Sequence, residues 1–291
     1  MNIVRNLPGP LLIFMGALSL SFGGLIVKSF EGATLWQILF WRSLFFTLTV
    51  LAFLTISYKK KTLRSFYESG LPGFIGGIIL SLGFCGYVFA MYNTTVANTN
   101  FIISLQILFL ALFGYIFLKE KINSITLTSI VLAMAGVLLM VGNSLTPGEL
   151  SGNLAAFTMP ITFAVLIMIV RKYPNVDMVP AQFVAGVSSC LIGFLLSTKI
   201  MISPNDIFLG FLAGFFQVGF GFIFITIGAR TTPSAMVGII MLSESVLGPI
   251  WAFLFVSERP SMFGLIGGAI ILTAVLLQFY NLSNFKSNKT N

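Results

Sequence analysis

The chain has 291 residues, of which 57% are hydrophobic and 8% are charged, and its mean hydropathy is +1.01. Soluble proteins carry about a quarter charged residues, so this composition excludes a water-soluble globular domain and indicates an integral membrane protein. The sequence contains no histidine and only two cysteines, Cys85 and Cys190. These counts exclude the usual histidine general base, a four-cysteine zinc site and a disulfide framework, and we expect no cofactor.

Ten apolar stretches are long enough to cross a bilayer as helices. A crossing needs about 20 mostly apolar residues, because the hydrocarbon core is about 30 Å thick and a helix rises about 1.5 Å per residue. The predicted spans are 8–27, 33–57, 72–91, 96–118, 124–142, 152–170, 178–198, 206–228, 233–256 and 261–281. Lipid offers no partner to exposed backbone groups, and the runs are continuous rather than alternating, which favours helices over a β-barrel.

Lysine and arginine are distributed unevenly between alternate loops of these spans. If the N-terminus is inside, twelve of the 16 basic residues lie in inside segments and three, Lys28, Lys199 and Arg259, lie outside. The remaining one, Arg42, falls within the second span. Short cytoplasmic loops are enriched in basic residues, so we expect both termini in the cytoplasm. The short loops and the high content of lysine, asparagine and isoleucine favour a cell inner membrane as the location. The net charge of +8 therefore reflects topology, and no nucleic-acid partner is expected.

The chain repeats itself with an offset of 138 residues. Segment 71–143 pairs with 209–281 without a gap, and 14 of the 73 pairs are identical. The repeat predicts two halves of five spans each, residues 1–143 and residues 144–291. Because five is an odd number, the second half inserts in the opposite orientation to the first, as in many transporters. The predicted fold is therefore all-α and integral to the membrane, with ten transmembrane helices in two inverted five-helix repeats.

Similar motifs recur around the span ends of the two halves. The first half carries NTTVAN at 93–98 and GYIFLKE at 114–120, and the second half carries TPSA at 232–235, ESVLGPIW at 244–251 and SERP at 257–260. Together with the ten spans, these motifs resemble the EamA-like branch of the drug/metabolite transporter superfamily, over essentially the whole chain. The resemblance implies proton-coupled or exchange transport of small organic metabolites, often the export of amino acids.

Two charged residues are predicted to lie deep inside the bilayer. Glu244 lies near the middle of the predicted span 233–256, and Arg42 lies at a similar depth in 33–57. A charge at this depth costs on the order of a few kcal/mol, so such residues usually face a water-filled cavity and carry function. We interpret Glu244 as binding a substrate ammonium group or a coupling proton, and Arg42 as binding a substrate carboxylate. The alternative for each is a structural tie, either between the two or to a neighbouring helix.

The other candidate substrate-binding residues are polar or aromatic side chains on spans expected to surround the same cavity. Gln106 lies opposite Glu244 in the repeat, because the two are 138 residues apart. The remaining candidates are Asn98, Tyr87, Phe84, Gln217, Phe222, Trp251 and Ser19. Aromatic walls with a few polar anchors suit a small amphiphilic ligand. For each single aromatic residue the alternative is ordinary packing, since the chain contains 31 phenylalanines.

The sequence thus predicts a secondary-active transporter that moves an amino acid, or a related zwitterion or amphiphile, by alternating access. Export is the favoured direction. Because no Walker ATP-binding motif is present, the expected energy source is an ion or substrate gradient, and proton coupling is one such source. Expected partners are this small-molecule substrate and the lipid bilayer. Glycine pairs four residues apart, such as Gly210 and Gly214, favour close helix contacts within the fold or in a homo-oligomer.

Other function classes remain as alternatives at this stage. An importer of a vitamin-like or nucleoside-like metabolite would have the same topology. A membrane-embedded enzyme is disfavoured because the sequence has no histidine, no clustered acidic pair within one span and no Gly-x-Ser-x-Gly turn. A scaffold would need a larger soluble region than these short loops provide.

Overall fold

The computed structural model of the protein describes residues 7–93, 96–141, 150–256 and 262–290, and in these ranges the chain is helical with short connections. We number the spans 1 to 10. Their bounds are Gly9–Leu20 and Gly23–Lys28 (span 1), Leu35–Tyr58 followed by the 3₁₀ turn Lys59–Lys61 (span 2), Thr62–Asn93 (span 3), Val96–Ser104 and Gln106–Leu118 (span 4), Ser124–Val141 (span 5), Leu150–Ala156 and Thr158–Lys172 (span 6), Val179–Leu196 (span 7), Pro204–Phe211, the π-helix Leu212–Phe220 and Gly221–Ala229 (span 8), Ser234–Met241 and Ser243–Val256 (span 9), and Met262–Thr290 (span 10). The predicted division between residues 143 and 144 falls outside the described residues.

Length and hydropathy agree with the membrane prediction. Five helical stretches of the described chain are long and apolar enough to cross a bilayer, namely Gly9–Val27, Leu35–Asn93, Ser151–Lys172, Val179–Leu196 and Pro204–Ala229. Leu35–Asn93 has 59 residues and contains both span 2 and span 3. Four shorter apolar helices, Ile102–Leu118, Ser124–Gly136, Ser234–Gly248 and Leu265–Leu277, belong to spans 4, 5, 9 and 10. Large apolar side chains such as Leu195 and Leu276 are exposed on the outside, where lipid chains would cover them.

Contacts between the span ends divide them into two groups at opposite ends of the bundle. Tyr58, at the end of span 2, donates a hydrogen bond from its hydroxyl group to Asp177, which follows span 6. At the other end, the backbone N–H of Glu31, which follows span 1, donates to Asp206 Oδ1 over 3.0 Å. Span 2 has 24 residues and separates these two ends by roughly 36 Å. Spans 1 and 6 therefore finish at opposite ends, which we call the Asp206 end and the Tyr58 end.

Span 8 packs closely against span 2 through two glycines four residues apart. A Cβ atom at Gly210 would lie 2.9 Å from Trp41 Cβ, and one at Gly214 would lie 2.6 Å from Phe45 Cβ. Gly214 lies in the π-helix of span 8, a geometry that occurs frequently at functional sites. A Cβ atom at Gly214 would also meet the carbonyl oxygen of Arg42. This contact fixes the backbone of span 2 beside its buried arginine.

Replacing Gly214 by alanine is expected to destabilise the folded protein by about 1–3 kcal/mol, because the added methyl group has no room against span 2. The measurement is the apparent melting temperature of the purified protein in detergent, together with its folded yield. Gly32→Ala is the matched control, since a Cβ atom at Gly32 would meet nothing within 4 Å. Equal melting of Gly214→Ala and the wild type would contradict the close packing of spans 2 and 8.

Spans 1, 4, 6 and 9 are interrupted near their middle, which the hydropathy pattern does not predict. The interruptions lie at Ser21–Phe22, Leu105, Phe157 and Leu242. At three of them the backbone tightens to i→i−3 hydrogen bonds, donated by Leu105 N to Ile102 O (3.1 Å), Phe157 N to Leu154 O (3.2 Å) and Leu242 N to Ile239 O (3.2 Å). Pro160 accounts for the break at Phe157, because proline cannot donate to the carbonyl four residues earlier. Leu105 and Leu242 are 137 residues apart, one less than the repeat offset, so this interruption is itself repeated.

Candidate functional site

A small cavity lies between the two halves of the bundle, at the level of the helix interruptions. It has a volume of about 20 Å³, which is room for about one water molecule. Its lining comes from spans 1 to 4 of the first half and spans 6, 8 and 9 of the second half. The lining residues are Leu20, Arg42, Tyr87, Ile103, Gln106, Met159, Phe163, Gln217, Phe222, Met241 and Glu244. Six of the ten sequence-predicted site residues therefore meet around one cavity: Arg42, Tyr87, Gln106, Gln217, Phe222 and Glu244.

Arg42 of span 2 is buried at this cavity with two unsatisfied donor atoms. The residue is 4% exposed, and its Nε and Nη1 atoms are buried without a hydrogen-bond partner. Its guanidinium Cζ lies 5.2 Å from the ring centre of Phe84 and 5.0 Å from that of Tyr87. Such cation–π contacts stabilise a cation by about 0.5–2 kcal/mol each. This is less than the penalty of burying an unpaired charge, so two donors of Arg42 remain available to an acceptor in the cavity.

Glu244 of span 9 lines the cavity from the other half of the chain. In the part of the chain that the structure describes, no salt bridge joins it to Arg42, so the two charges line one cavity without pairing directly. Glu244 is the second residue of the helix Ser243–Val256, directly after the interruption at Leu242. The first turn of a helix offers free N–H groups and the positive end of its dipole, which favour a carboxylate.

Gln106 occupies the equivalent place in span 4, as the first residue of the helix that follows the interruption at Leu105. It is 3% exposed and lines the cavity with its uncharged amide group. Nearby, the hydroxyl groups of Ser104 and Ser245 lie 2.8 Å apart and tie span 4 to span 9. The two halves thus contribute one charged and one neutral polar side chain at equivalent positions, which makes the cavity chemically asymmetric.

Tyr87 and Gln217 complete the polar lining and converge on the interruption in span 1. A Cβ atom at Gly23 would lie 2.7 Å from Gln217 Nε2 and 2.8 Å from the Tyr87 hydroxyl oxygen. The Gln217 amide also donates from Nε2 to Leu20 O over 3.4 Å. Glycine at position 23 is therefore what allows both polar groups to reach this side of the cavity.

Replacing Gly23 by alanine is expected to displace the Tyr87 hydroxyl and the Gln217 amide, and to raise the half-saturating substrate concentration about tenfold with little change in folded yield. The matched control is Gly248→Ala, because a Cβ atom there would meet only Ser21 O at an ordinary 3.6 Å. The measurement is the half-saturating substrate concentration of both variants, taken from their transport saturation curves. Unchanged saturation in Gly23→Ala would mean that these two polar groups do not contact the substrate.

Aromatic rings form the apolar wall behind the charged groups. Phe222 lines the cavity and packs edge-to-face on Phe84 at 5.1 Å and on Phe163 at 6.0 Å between ring centres. Phe46 extends the cluster through Phe84 at 5.4 Å. All four rings are 1% exposed, so their positions are fixed by packing. Phe84, although not itself at the cavity surface, supports the Arg42 guanidinium from one side.

Besides Phe84, three of the predicted residues are not placed in the cavity lining. Trp251 donates from Nε1 to Ser21 Oγ over 2.7 Å and stacks on Phe22 with ring centres 4.6 Å apart, so it packs against the interruption in span 1. Ser19 donates from its hydroxyl group to Phe216 O over 2.7 Å and ties span 1 to span 8. The side chain of Asn98 lies outside the described residues.

Five apolar residues that line the cavity were not among the sequence candidates. They are Leu20, Ile103, Met159, Phe163 and Met241. In a chain this rich in apolar residues, nothing in their local sequence separates a cavity-lining side chain from a lipid-facing one. Within the described residues, no cluster of three or more cysteine, aspartate or glutamate side chains is arranged to hold a metal ion.

Comparisons with known proteins identify relatives of both the sequence and the fold. The model of the EamA-like transporter family matches the chain twice, at residues 7–142 and 146–280. An "Uncharacterized transporter" of Methanothermobacter thermautotrophicus is 28% identical over 207 residues, which cover 65% of this chain and 58% of that relative's length, less than two thirds of it. One crystal structure superposes over 92% of this chain and 95% of its own chain, with a TM-score of 0.76 and 17% identity. At that identity the similarity concerns the fold alone.

Proposed function

Because the chain belongs to the EamA-like transporter family, we propose that it is a secondary-active membrane transporter of small zwitterionic amphiphiles of the amino acid class. The observation that carries this proposal is the cavity between the halves, which holds a buried guanidinium without an anionic partner and a separate carboxylate. A zwitterion supplies a carboxylate for Arg42 and an ammonium group for Glu244. An anion with several charges, such as a phosphate ester, would require more buried cations than Arg42 alone.

In the proposed complex, each end of the ligand has its own partner. The planar guanidinium of Arg42 binds the substrate carboxylate through its free Nε and Nη1 donors. Glu244 binds the substrate ammonium group, and Gln106, Gln217 and Tyr87 provide neutral hydrogen bonds. The side chain of the ligand packs on the apolar lining, which includes Phe222 and Met241.

We propose alternating access as the transport mechanism, with the two halves acting as inverted repeats. The opposite ends reached by spans 1 and 6 support this orientation. The cavity of about 20 Å³ is too small for an amino acid, so a ligand enters only when the halves move apart. We further propose that a proton occupies the Glu244 carboxylate when the ammonium group leaves, which couples export to proton entry. From the charge distribution of the loops we propose that both termini lie in the cytoplasm, and from the short loops and the composition that the protein lies in the inner membrane.

Counterflow in proteoliposomes tests this function. Vesicles loaded with one compound are assayed for accelerated uptake of its labelled form, over a panel of amino acids, vitamins, nucleosides and cationic dyes, with and without a pH gradient. We expect amino acids with apolar side chains to exchange, and a pH gradient to change their rate. Exchange of vitamins or nucleosides alone would favour the alternative substrate class, and exchange of no compound would contradict the proposal.

A further inference from the structure

A second charged cluster lies away from the cavity, at the Tyr58 end of the bundle. Glu120, after span 4, accepts hydrogen bonds at Oε1 from Arg171 Nε (2.8 Å) and Nη2 (2.5 Å). Its other carboxylate oxygen, Oε2, accepts from the backbone N–H of Ser234 at the start of span 9, over 2.8 Å. Arg171 Nη1 donates in addition to the carbonyl oxygen of Arg230, at the end of span 8, over 3.3 Å. One carboxylate of the first half thus binds spans 6 and 9 of the second half directly, and span 8 through Arg171.

This cluster differs from an ordinary surface ion pair. The side chains of Arg171 and Glu120 are 20% and 16% exposed, whereas those of the exposed pair Arg64 and Glu68 are 71% and 54% exposed. Both carboxylate oxygens of Glu120 are engaged, and the Ser234 N–H has no acceptor within its own helix because it belongs to the first turn. Such charge-assisted, water-shielded contacts are stronger than exposed ones.

The position of the cluster relates it to the cavity. Spans 4, 6, 8 and 9 all contribute lining residues, and all four meet again at Glu120 and its partners. Along the helices, Arg171 lies eight residues beyond Phe163, and Arg230 lies eight beyond Phe222, which is roughly 12 Å in each case. The cluster therefore lies between the cavity and the Tyr58 end, across the boundary between the halves.

We propose that Glu120, Arg171 and the Ser234 N–H form the gate on the Tyr58 side, which must open for a ligand to pass between the cavity and that face of the membrane. This inference rests on the proposed transport function and adds the residues that control access. The gate opens when Glu120 leaves both donors, which frees span 4 of the first half from spans 6 and 9 of the second half. Removing one partner is expected to shift the protein toward the state open at this end.

Cysteine accessibility tests the gate without any transported compound. Ile103, a cavity-lining residue, is replaced by cysteine in a background with Cys85→Ser and Cys190→Ser, and is labelled in oriented vesicles with a charged, impermeant methanethiosulfonate reagent. Separate cysteines at the exposed positions Lys121 and Met201 identify which face of the vesicle is the Tyr58 end and which is the Asp206 end. We expect Glu120→Gln to raise the labelling rate from the Tyr58 end about tenfold or more, and to leave the rate from the Asp206 end no higher.

Two further variants keep the result interpretable. Glu68→Gln removes a carboxylate from an exposed ion pair and should leave both rates unchanged. Ser234→Pro removes the backbone N–H that donates to Glu120, and proline suits the first position of a helix. This variant should therefore also raise the labelling rate from the Tyr58 end. If folded Glu120→Gln and Ser234→Pro proteins label from the Tyr58 end at the rate of the intact gate, the proposal is wrong. A failed counterflow assay would leave this outcome unaffected, so the two proposals fail separately.

Discussion

Replacing Glu244 by glutamine is expected to lower the rate of substrate exchange about a hundredfold or more, at an unchanged folded yield. Truncating one side of a buried charge pair between ligand and protein typically loses about 2–5 kcal/mol, and about 1.4 kcal/mol corresponds to tenfold. Glutamine keeps the shape of the side chain but carries no charge for the substrate ammonium group. Because no salt bridge to Glu244 is found in the described part of the chain, folding should tolerate the change.

The matched control for Glu244→Gln is Glu31→Gln, which removes a carboxylate from the exposed end of the bundle. Initial counterflow rates of both variants are compared at equal amounts of inserted protein. The control should exchange at the wild-type rate. Normal exchange by Glu244→Gln would remove this carboxylate from the mechanism.

Replacing Arg42 by methionine is expected to abolish exchange and, at the same time, to leave the melting temperature unchanged or raised. An unpaired buried charge destabilises the fold, and an apolar side chain of similar length removes that penalty while keeping the contacts with Phe84 and Tyr87. A residue that lowers the stability of the fold is typical of a functional site. Exchange and melting are measured on the same preparations.

Arg42→Lys separates charge from geometry. Lysine keeps the positive charge but loses the planar, bidentate donors, so we expect a partial loss of exchange, about tenfold. Arg64→Gln, at an exposed position, should change neither exchange nor melting. A large fall in melting temperature in Arg42→Met would indicate that the arginine is structural, and would contradict its assignment to substrate binding.

The positions of the spans could be predicted because lipid leaves the chain few alternatives. The predicted span 178–198 corresponds to Val179–Leu196, and 33–57 corresponds to Leu35–Tyr58. Span 3 begins earlier than predicted, since the polar segment Thr62–Ser69 is also helical and turns into the apolar part at Gly70, which has a φ of 52°. Such a segment gives no apolar run. The interruptions at Leu105 and Leu242 are equally invisible, because a change from i→i−4 to i→i−3 bonding leaves the hydropathy unchanged.

The charged part of the site could also be predicted, and its limits have a physical cause. Arg42 and Glu244 stand out because a charge in mid-membrane is costly anywhere except beside a cavity or a partner. Ser19 and Trp251 are polar at similar depth, but neighbouring helices satisfy their donors. Sequence alone does not tell whether a polar group finds such a partner. For the same reason, the pairing of Glu120 with Arg171, 51 residues away, becomes visible only in three dimensions.

Binding of a transported compound to the purified protein tests most directly whether Arg42 and Glu244 hold the substrate. Affinities are measured for the zwitterion and for two analogues, one without the ammonium group and one without the carboxylate, in the wild type, Glu244→Gln and Arg42→Gln. We predict that loss of the ammonium group weakens binding to the wild type about tenfold or more but has little further effect in Glu244→Gln. Loss of the carboxylate is likewise expected to weaken binding to the wild type but to have little further effect in Arg42→Gln. Losses that simply add in both pairs would show that neither side chain contacts the charged end assigned to it.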